Sequence, residues 1–256
     1  MTFSRLLKHQ ISVDLHSRFM GSLLGLWWSV VNPIMQLAVY VFLFTVVLDV
    51  RLGGTTGKLD YAIFALSGLG AWFATQEALT QCASSIHRNS AIVKNFAFPA
   101  ELFPLSSIVC SFVTMAVAYG MVVFLGLLAG RMPGLALIAL PLVLAVHFLL
   151  MCGIGIYLAI IGAFLRDIMQ ILPIALQLAM LATPILYSRS DVPDSMRRFA
   201  DYNPLFYLID SYRQIFSYNA WPNFEALAVL GMAGIVLSAA GLFSFRKVQG
   251  YFEGVV

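Results

Sequence analysis

The sequence predicts an all-α, polytopic membrane protein: six transmembrane helices, an N-terminal amphipathic interface helix and two short re-entrant external helices. Three observations lead there. Of 256 residues, 61% are hydrophobic and 11% charged, with a mean hydropathy of +0.88, whereas soluble domains carry about 25% charged residues. Six apolar runs each approach the roughly 20 residues that a spanning helix needs. Two of the segments between them, 86–104 and 188–223, hold short amphipathic helical pieces instead of turning fully polar. The net charge of +3 is small and dispersed, which is no nucleic-acid signature, and no nucleic-acid partner is expected. Cys82, Cys110 and Cys152 fall in three different apolar runs, without a CxxC or metal-ligand spacing, and read as small buried residues.

The chain reads as one transmembrane domain over 1–256: an interface helix (1–26), five spans (27–187), an external re-entrant region (188–223), and a last span with a cytoplasmic tail (224–256). In the first segment Phe3, Leu6, Leu7, Ile11, Leu15 and Phe19 recur at helical spacing, with Arg5, Lys8, His9, Ser12 and His16 largely off that stripe. Such a helix lies in the bilayer interface or packs on another protein domain. The start is not expected to be a cleaved signal peptide. Its first apolar run begins near Leu23, lasts about 25 residues and is followed by no A-x-A site.

The stretch 18–33, R-F-M-G-S-L-L-G-L-W-W-S-V-V-N-P, joins this helix to the first span. Arg18 belongs with headgroups or water. Gly21 and Gly25 permit a bend or a close approach. Trp27 and Trp28 suit the interfacial layer, and Pro33 removes a backbone donor early in the span. The spans are expected at about 27–48, 61–84, 105–129, 135–165, 168–187 and 226–245. The second is the most polar, with Gln76, Glu77 and Gln81. The fourth is long and open to a break at Pro141 or near Gly153 and Gly155, and Pro173 and Pro184 predict kinks in the fifth.

An even number of spans puts both termini on one side. That side holds Arg5, Lys8, Arg18, Arg88, Lys94, Arg166, Arg246 and Lys247; the other holds Arg51, Lys58, Arg131, Arg189, Arg197, Arg198 and Arg213. Eight against seven is nearly a tie, but four of the seven sit in the long external region. Long loops count least in the positive-inside rule, so the termini are assigned to the cytoplasm.

Two loops stand out. The inner one, 86–104, reads I-H-R-N-S-A-I-V-K-N-F-A-F-P-A-E-L-F-P. Ile92, Val93, Phe96 and Phe98 need a partner, the bilayer or the bundle to cover them, and Arg88, Lys94 and Glu101 form a polar edge. A short amphipathic helix ended by Pro99 suits docking of a cytoplasmic protein. The outer one, 188–223, is punctuated by Pro193, Pro204 and Pro222. Its two helical pieces, 194–201 and 205–218, are too short to span and are expected to dip into the outer leaflet, where protein or a watery cavity must satisfy their backbone.

Glu77 is the sharpest oddity. A carboxylate near mid-membrane costs about 2.5–3.5 kcal/mol on insertion scales. It must bind substrate, pair with a cation, or reach the headgroups through tilt. With Tyr40, Trp72, Phe73 and Tyr119 it makes up the set of pore-lining candidates, since aromatic rings can stack on sugar faces. Arg166 and Asp167 read as a charge pair at the inner interface. Enzyme signatures are absent: no GxxxxGK[ST], no HExxH among the four histidines, no G-x-S-x-G. L-S-G-L-G at 66–70 is faintly like the signature of ABC ATPases, but inside an apolar span without a Walker motif it is coincidence. A transport role without its own catalysis follows.

The 18–33 string resembles the opening motif of ABC-type polysaccharide export permeases, the membrane subunits of O-antigen, capsule or teichoic acid exporters. The likeness continues in S-G-L-G-A-W-F from Ser67, I-V-K-N-F-A-F-P-A-E-L-F-P-L from Ile92, F-L-R-D-I from Phe164, T-P-I-L-Y from Thr183, Y-N-P-L from Tyr202, Y-R-Q-I-F from Tyr212 and the tail F-R-K-V-Q-G-Y-F. His16-Ser17 ahead of Arg18 departs from the family's more basic or aromatic pattern. The resemblance implies a homodimeric bacterial inner-membrane exporter. Two copies of a separate nucleotide-binding ATPase hold ATP and Mg, and this chain holds no cofactor and no metal. It implies docking of that ATPase at Arg88, Lys94, Asn95, Phe96, Phe98, Pro99 and Glu101, together with the N-terminal helix. The substrate would be a glycan on undecaprenyl diphosphate. Arg18, Trp27 and Trp28 are the candidates for the diphosphate and interface site, with Arg88 and Lys94 adding positive charge. Competing readings are a related ABC permease for lipids or drugs, a polyprenyl-linked glycan enzyme, and a channel. The enzyme reading is weakened because Asp191, Asp194, Asp201 and Asp210 lack a metal-like spacing.

Overall fold

The structure, a computed structural model, describes residues 3–18, 21–47, 58–95, 98–132, 134–186 and 203–254. Among these residues the chain is helical, with no strand. Helix α1 (Phe3–Ser17) leads through a 3₁₀ turn (Gly25–Trp27) into α2 (Trp28–Phe42), which passes into a π-helical turn at Leu43–Val47. Gly21 and Gly25 have φ of +82° and +50°. A side chain is disfavoured there, so the bend between interface helix and first span is written in these glycines. Pro33 is buried within α2 near its start, where few backbone donors depend on it.

Helix α3 (Lys58–Arg88) is the axis of the fold. Its 31 residues are long enough to cross a bilayer at 1.5 Å per residue. It is too polar to be recognised as a span by hydropathy alone, because residues from Tyr61 to Trp72 are all buried in protein and need no lipid-facing stripe. The apolar helices of spanning length are Gly25–Phe42, Leu102–Leu128, Leu135–Phe164 and Phe224–Phe252. They contain α2, α5 (Leu102–Leu128), α6 (Leu140–Phe164, after a 3₁₀ turn at Leu135–Ala139) and α9 (Phe224–Val248, ending in a 3₁₀ turn at Gln249–Gly254). Pro141 sits in the first turn of α6, and the helix runs unbroken through Gly153 and Gly155. Helix α7 (Ile168–Ala182) is shorter, with Pro173 inside it and Pro184 just past its end.

Two short helices complete the chain. α4 (Ser90–Asn95) follows α3 in the 86–104 loop. α8 (Pro204–Phe216) is the second helical piece of the 188–223 region; the first, 194–201, lies outside the described residues, as does Phe96. Asn203 caps α8 by accepting from the Leu205 N–H at 3.0 Å, with Pro204 at the first position, where its missing donor costs nothing. Asn223 caps α9 in the same way through Ala226.

The helix ends sort into two groups. At one, Arg131 beyond α5 reaches Asp60 of α3 at 2.6 Å and the Ser217 carbonyl at 3.2 Å, and the Tyr61 hydroxyl donates to the Leu186 carbonyl at 2.6 Å. At the other lie α1, α4, the start of α5 and the C-terminal turn. Ile86, Phe103, Phe245 and Phe252 form a buried cluster there, with Ile92, Val93 and Phe98 packed against it. The first and last described segments therefore share one end.

Small residues set the helix spacing, as membrane helix packing without a hydrophobic drive requires. A methyl group at Gly162 of α6 would collide with the Ala83 backbone carbonyl of α3, and one at Gly234 of α9 would meet the backbone of Leu150 at 2.9 Å. Gly162→Ala is expected to cost about 1–3 kcal/mol through overpacking, read as a lower midpoint of thermal unfolding in detergent. Gly120→Ala, which points into open space, should leave the midpoint in place.

Candidate functional site

Polar side chains on α2 and α3 meet across one cavity of about 630 Å³, closed by α5 and by the last turn of α1. On α2 the polar lining residues are Ser29, Asn32 and Gln36, spaced three and four apart and hence on one face. On α3 Phe73, Gln76, Glu77 and Thr80 keep the same period. The two stripes face each other in a domain whose outer surface is apolar, with Ile34, Ile174, Leu178 and Val236 exposed; Met35 and Val39, also exposed, line the cavity itself.

Glu77 pairs with Arg18, whose Nη1 donates to Oε1. The side chains are 12% and 24% exposed, so the pair sits at the edge of the cavity, not in open solvent. Arg18 Nε and Nη2 are buried without an acceptor among the described residues. Trp28 lines the same cavity, and Trp27 is exposed.

The aromatic candidates divide. Phe73 borders the cavity, with Tyr40 tilted against it at 5.6 Å between ring centroids. Trp72 and Tyr119 are buried in the bundle and do not line it. Tyr119 of α5 donates to the Ser67 carbonyl at 3.1 Å and stacks on Tyr212 and Phe216 of α8. Tyr212 joins His147 Nδ1 at 3.0 Å, and His147 Nε2 joins Thr75 at 3.0 Å. Thr75 spends its only hydroxyl proton on the Ala71 carbonyl. His147 must therefore donate through Nε2 and accept the Tyr212 proton at Nδ1, a neutral tautomer fixed by its partners.

The end that holds α1 and the C-terminal turn carries the other candidates. Lys94 and Asn95 are exposed on α4, Phe98 stacks on Phe103 at 5.1 Å, Pro99 is half-buried, and Glu101 is buried with Arg246 at 3.4 Å from its carboxylate. Arg88 donates to the Ser107 hydroxyl at 3.2 Å. His87 beside it is held below the ordinary imidazole range, first by burial and then by the Arg166 guanidinium. Arg166 and Asp167 are both exposed.

Three groups were not singled out as sites by sequence. Asp14 and Gln10, not the apolar stripe, are the buried residues of α1. Asp14 Oδ2 accepts from Ser106 at 2.8 Å, with Ser107 at 3.5 Å, which fastens the interface helix to α5 and leaves Phe3 and Val13 exposed. Arg213 is 2% exposed: it donates to the Pro184 and Ile185 carbonyls and lies over the Phe64 ring at 4.1 Å. His147 is fully buried. The available signals were a lone acid in a basic helix and lone cationic or imidazole groups inside apolar runs.

Residues 6–217 match the ABC-2 type transporter family. The chain belongs to that family of membrane transport proteins, and its apolar helices make it a multi-pass membrane subunit. It is similar to the O-antigen export system permease protein RfbA of Klebsiella pneumoniae, with 28% identity over 95% of this chain and 92% of that protein. A permease of the same name from Myxococcus xanthus shares 28% identity over 92% and 90% of the two chains.

The Asp14 contact has a direct test. Asp14→Ala removes the acceptor that faces Ser106, Ser107 and the nearby Arg88, with an expected cost of about 1–3 kcal/mol. Hydrogen exchange should quicken in Phe3–Ser17 and stay unchanged in the middle of α9; equal protection of α1 in both proteins would refute the role.

Proposed function

We propose that this chain is the transmembrane subunit of an ATP-driven exporter that moves lipid-linked polysaccharide, O-antigen-like or capsule-like, across the bacterial inner membrane. It works as a homodimer with two copies of a separate nucleotide-binding ATPase, which holds ATP and Mg. Both termini face the cytoplasm. The observation that carries this reading is the cavity between α2, α3 and α5: hydroxyl, amide and charged side chains converge on one space inside an apolar domain. Polar groups are retained in a membrane where they line a path or bind a polar cargo. The near full-length likeness to permeases named for O-antigen export supports a glycan as that cargo.

The ATPase docks on the inner end. Lys94 and Asn95 of α4 are exposed for contact, and the backing of α4 is firm because Ile92 and Val93 pack on the Phe103–Phe252 cluster. A push on α4 reaches Arg88, then Ser107, then Asp14, and so the last turn of α1 and Arg18 at the cavity. Hydrolysis in the partner thereby moves the groups that border the cavity. Arg18, Arg88 and Lys94 supply positive charge for the lipid diphosphate, and the aromatic pair Tyr40–Phe73 offers rings to passing sugars.

Co-purification with the neighbouring nucleotide-binding protein tests the assembly, and ATP turnover with and without lipid-linked glycan tests the cargo. A stable complex stimulated by glycan is expected; its absence in mild detergent would sink the proposal. Gln in place of Arg18, Arg88 or Lys94 should lower export several-fold while membrane insertion stays at the wild-type level, on the order of one lost charge-assisted contact each.

A further inference from the structure

Arg18 holds more hydrogen-bonding capacity than Glu77 takes. A guanidinium carries five N–H donors. Only Nη1 meets Glu77, while Nε and Nη2 are buried with no acceptor among the described residues. Such unmet donors are costly, and a ligand with several oxygens arranged for a fork would satisfy them better than the single carboxylate oxygen does. The cavity beside the pair falls within the ~300–1,000 Å³ range of small-molecule sites and offers Ser29, Asn32 and Thr80 as further polar partners. Arg88 does not line the cavity but lies within electrostatic reach of Arg18, so it adds positive potential behind that guanidinium.

We propose that the Arg18–Glu77 ion pair is an exchangeable latch: a diphosphate entering the cavity takes the Arg18 guanidinium away from Glu77. This deepens the reading of a diphosphate-linked cargo and rests on it. With the cavity empty, Glu77 neutralises Arg18, and monoanions have too little charge to displace it. Once displaced, Glu77 leaves its carboxylate beside the bound anion and repels it. The diphosphate is thus held reversibly, as a cargo that must move on requires. The latch is also tied to the inner end, because the Arg18 backbone N–H bonds to the Asp14 carbonyl at 3.3 Å and the Asp14 side chain is fixed to α5.

The test is calorimetric titration of the full chain in nanodiscs of zwitterionic lipid, with geranyl diphosphate and inorganic pyrophosphate as probes. Removing the competitor by Glu77→Gln should tighten geranyl diphosphate binding by about tenfold, the size expected for one coupled charge pair. Arg18→Gln should abolish binding, and adding Glu77→Gln to it should restore nothing. Unchanged or weaker affinity in Glu77→Gln overturns the latch, as does an equal gain in the Arg18→Gln background. If Glu77→Gln does not fold, Glu77→Asp keeps the charge but shortens the reach, and a smaller tightening is expected; no tightening there also overturns it. A gain with geranyl diphosphate alone assigns the lipid carrier, and a gain with both probes assigns the diphosphate group from either source. Equal displacement by phosphatidylglycerol would show that one headgroup phosphate suffices and overturn the diphosphate assignment. A wild-type chain that exports no glycan while the Glu77→Gln gain persists would remove the export reading and leave the latch standing.

Discussion

A polar side chain inside a bilayer has no bulk water to fall back on, and α3 carries many of them. Each has to be answered by protein or by a cavity. Ser67 and Thr75 bond back to their own helix, Thr75 also holds His147, and the Ser67 carbonyl accepts from Tyr119. Glu77 is answered from outside the bundle by Arg18. Helices α5, α6 and α8 stand where they do because these groups, with the small residues between them, need partners at fixed positions. The apolar outer faces follow as whatever remains to meet lipid.

The two ends of the bundle differ in how they are tied. The end that holds Asp60 is clamped by Arg131 to Asp60 and by Arg213 to two backbone carbonyls, so α8 is built into the domain by consecutive residues Tyr212 and Arg213. Arg213 is a buried cation whose Nη1 and Nη2 donate to two carbonyl dipoles and which lies over an aromatic ring, while its Nε has no acceptor among the described residues; the carbonyls and the ring offset part of the cost of the buried charge. At the end that holds α1, contacts of Asp14 with Ser106 and Ser107 and the Glu101–Arg246 pair add to the buried cluster of Ile86, Phe103, Phe245 and Phe252. Helix α2 is the loosest of the apolar helices, with 11% of its spanning window buried against 39% for α5 and 44% for α6.

Much of this was legible in the residues. The Gly21 and Gly25 bend, the interface helix, the short α8 and the odd position of Glu77 are all visible as local departures from an apolar background. The polar stripe of Ser29, Asn32 and Gln36 has the same helical period but gives no local signal, because each residue alone is mild enough to sit in an ordinary span. Trp72 and Tyr119 illustrate the opposite limit. Aromatic identity marks them as candidates, yet period alone cannot say whether a ring on a helix buried all round faces a cavity or another helix.

The sequence by itself determined the membrane class, the helical architecture and the order of the elements, since these depend on length, hydropathy and local backbone preference. The family likeness was likewise carried by contiguous strings of residues. Pairing was decided only in three dimensions. Arg18 and Glu77 are 59 residues apart, His147 and Tyr212 65 apart, and Asp14 and Ser106 92 apart. A charge in an apolar run announces that it needs a partner, but the partner is chosen by how the helices cross, and that crossing is set by the close approach of small residues such as Gly162 and Ala83.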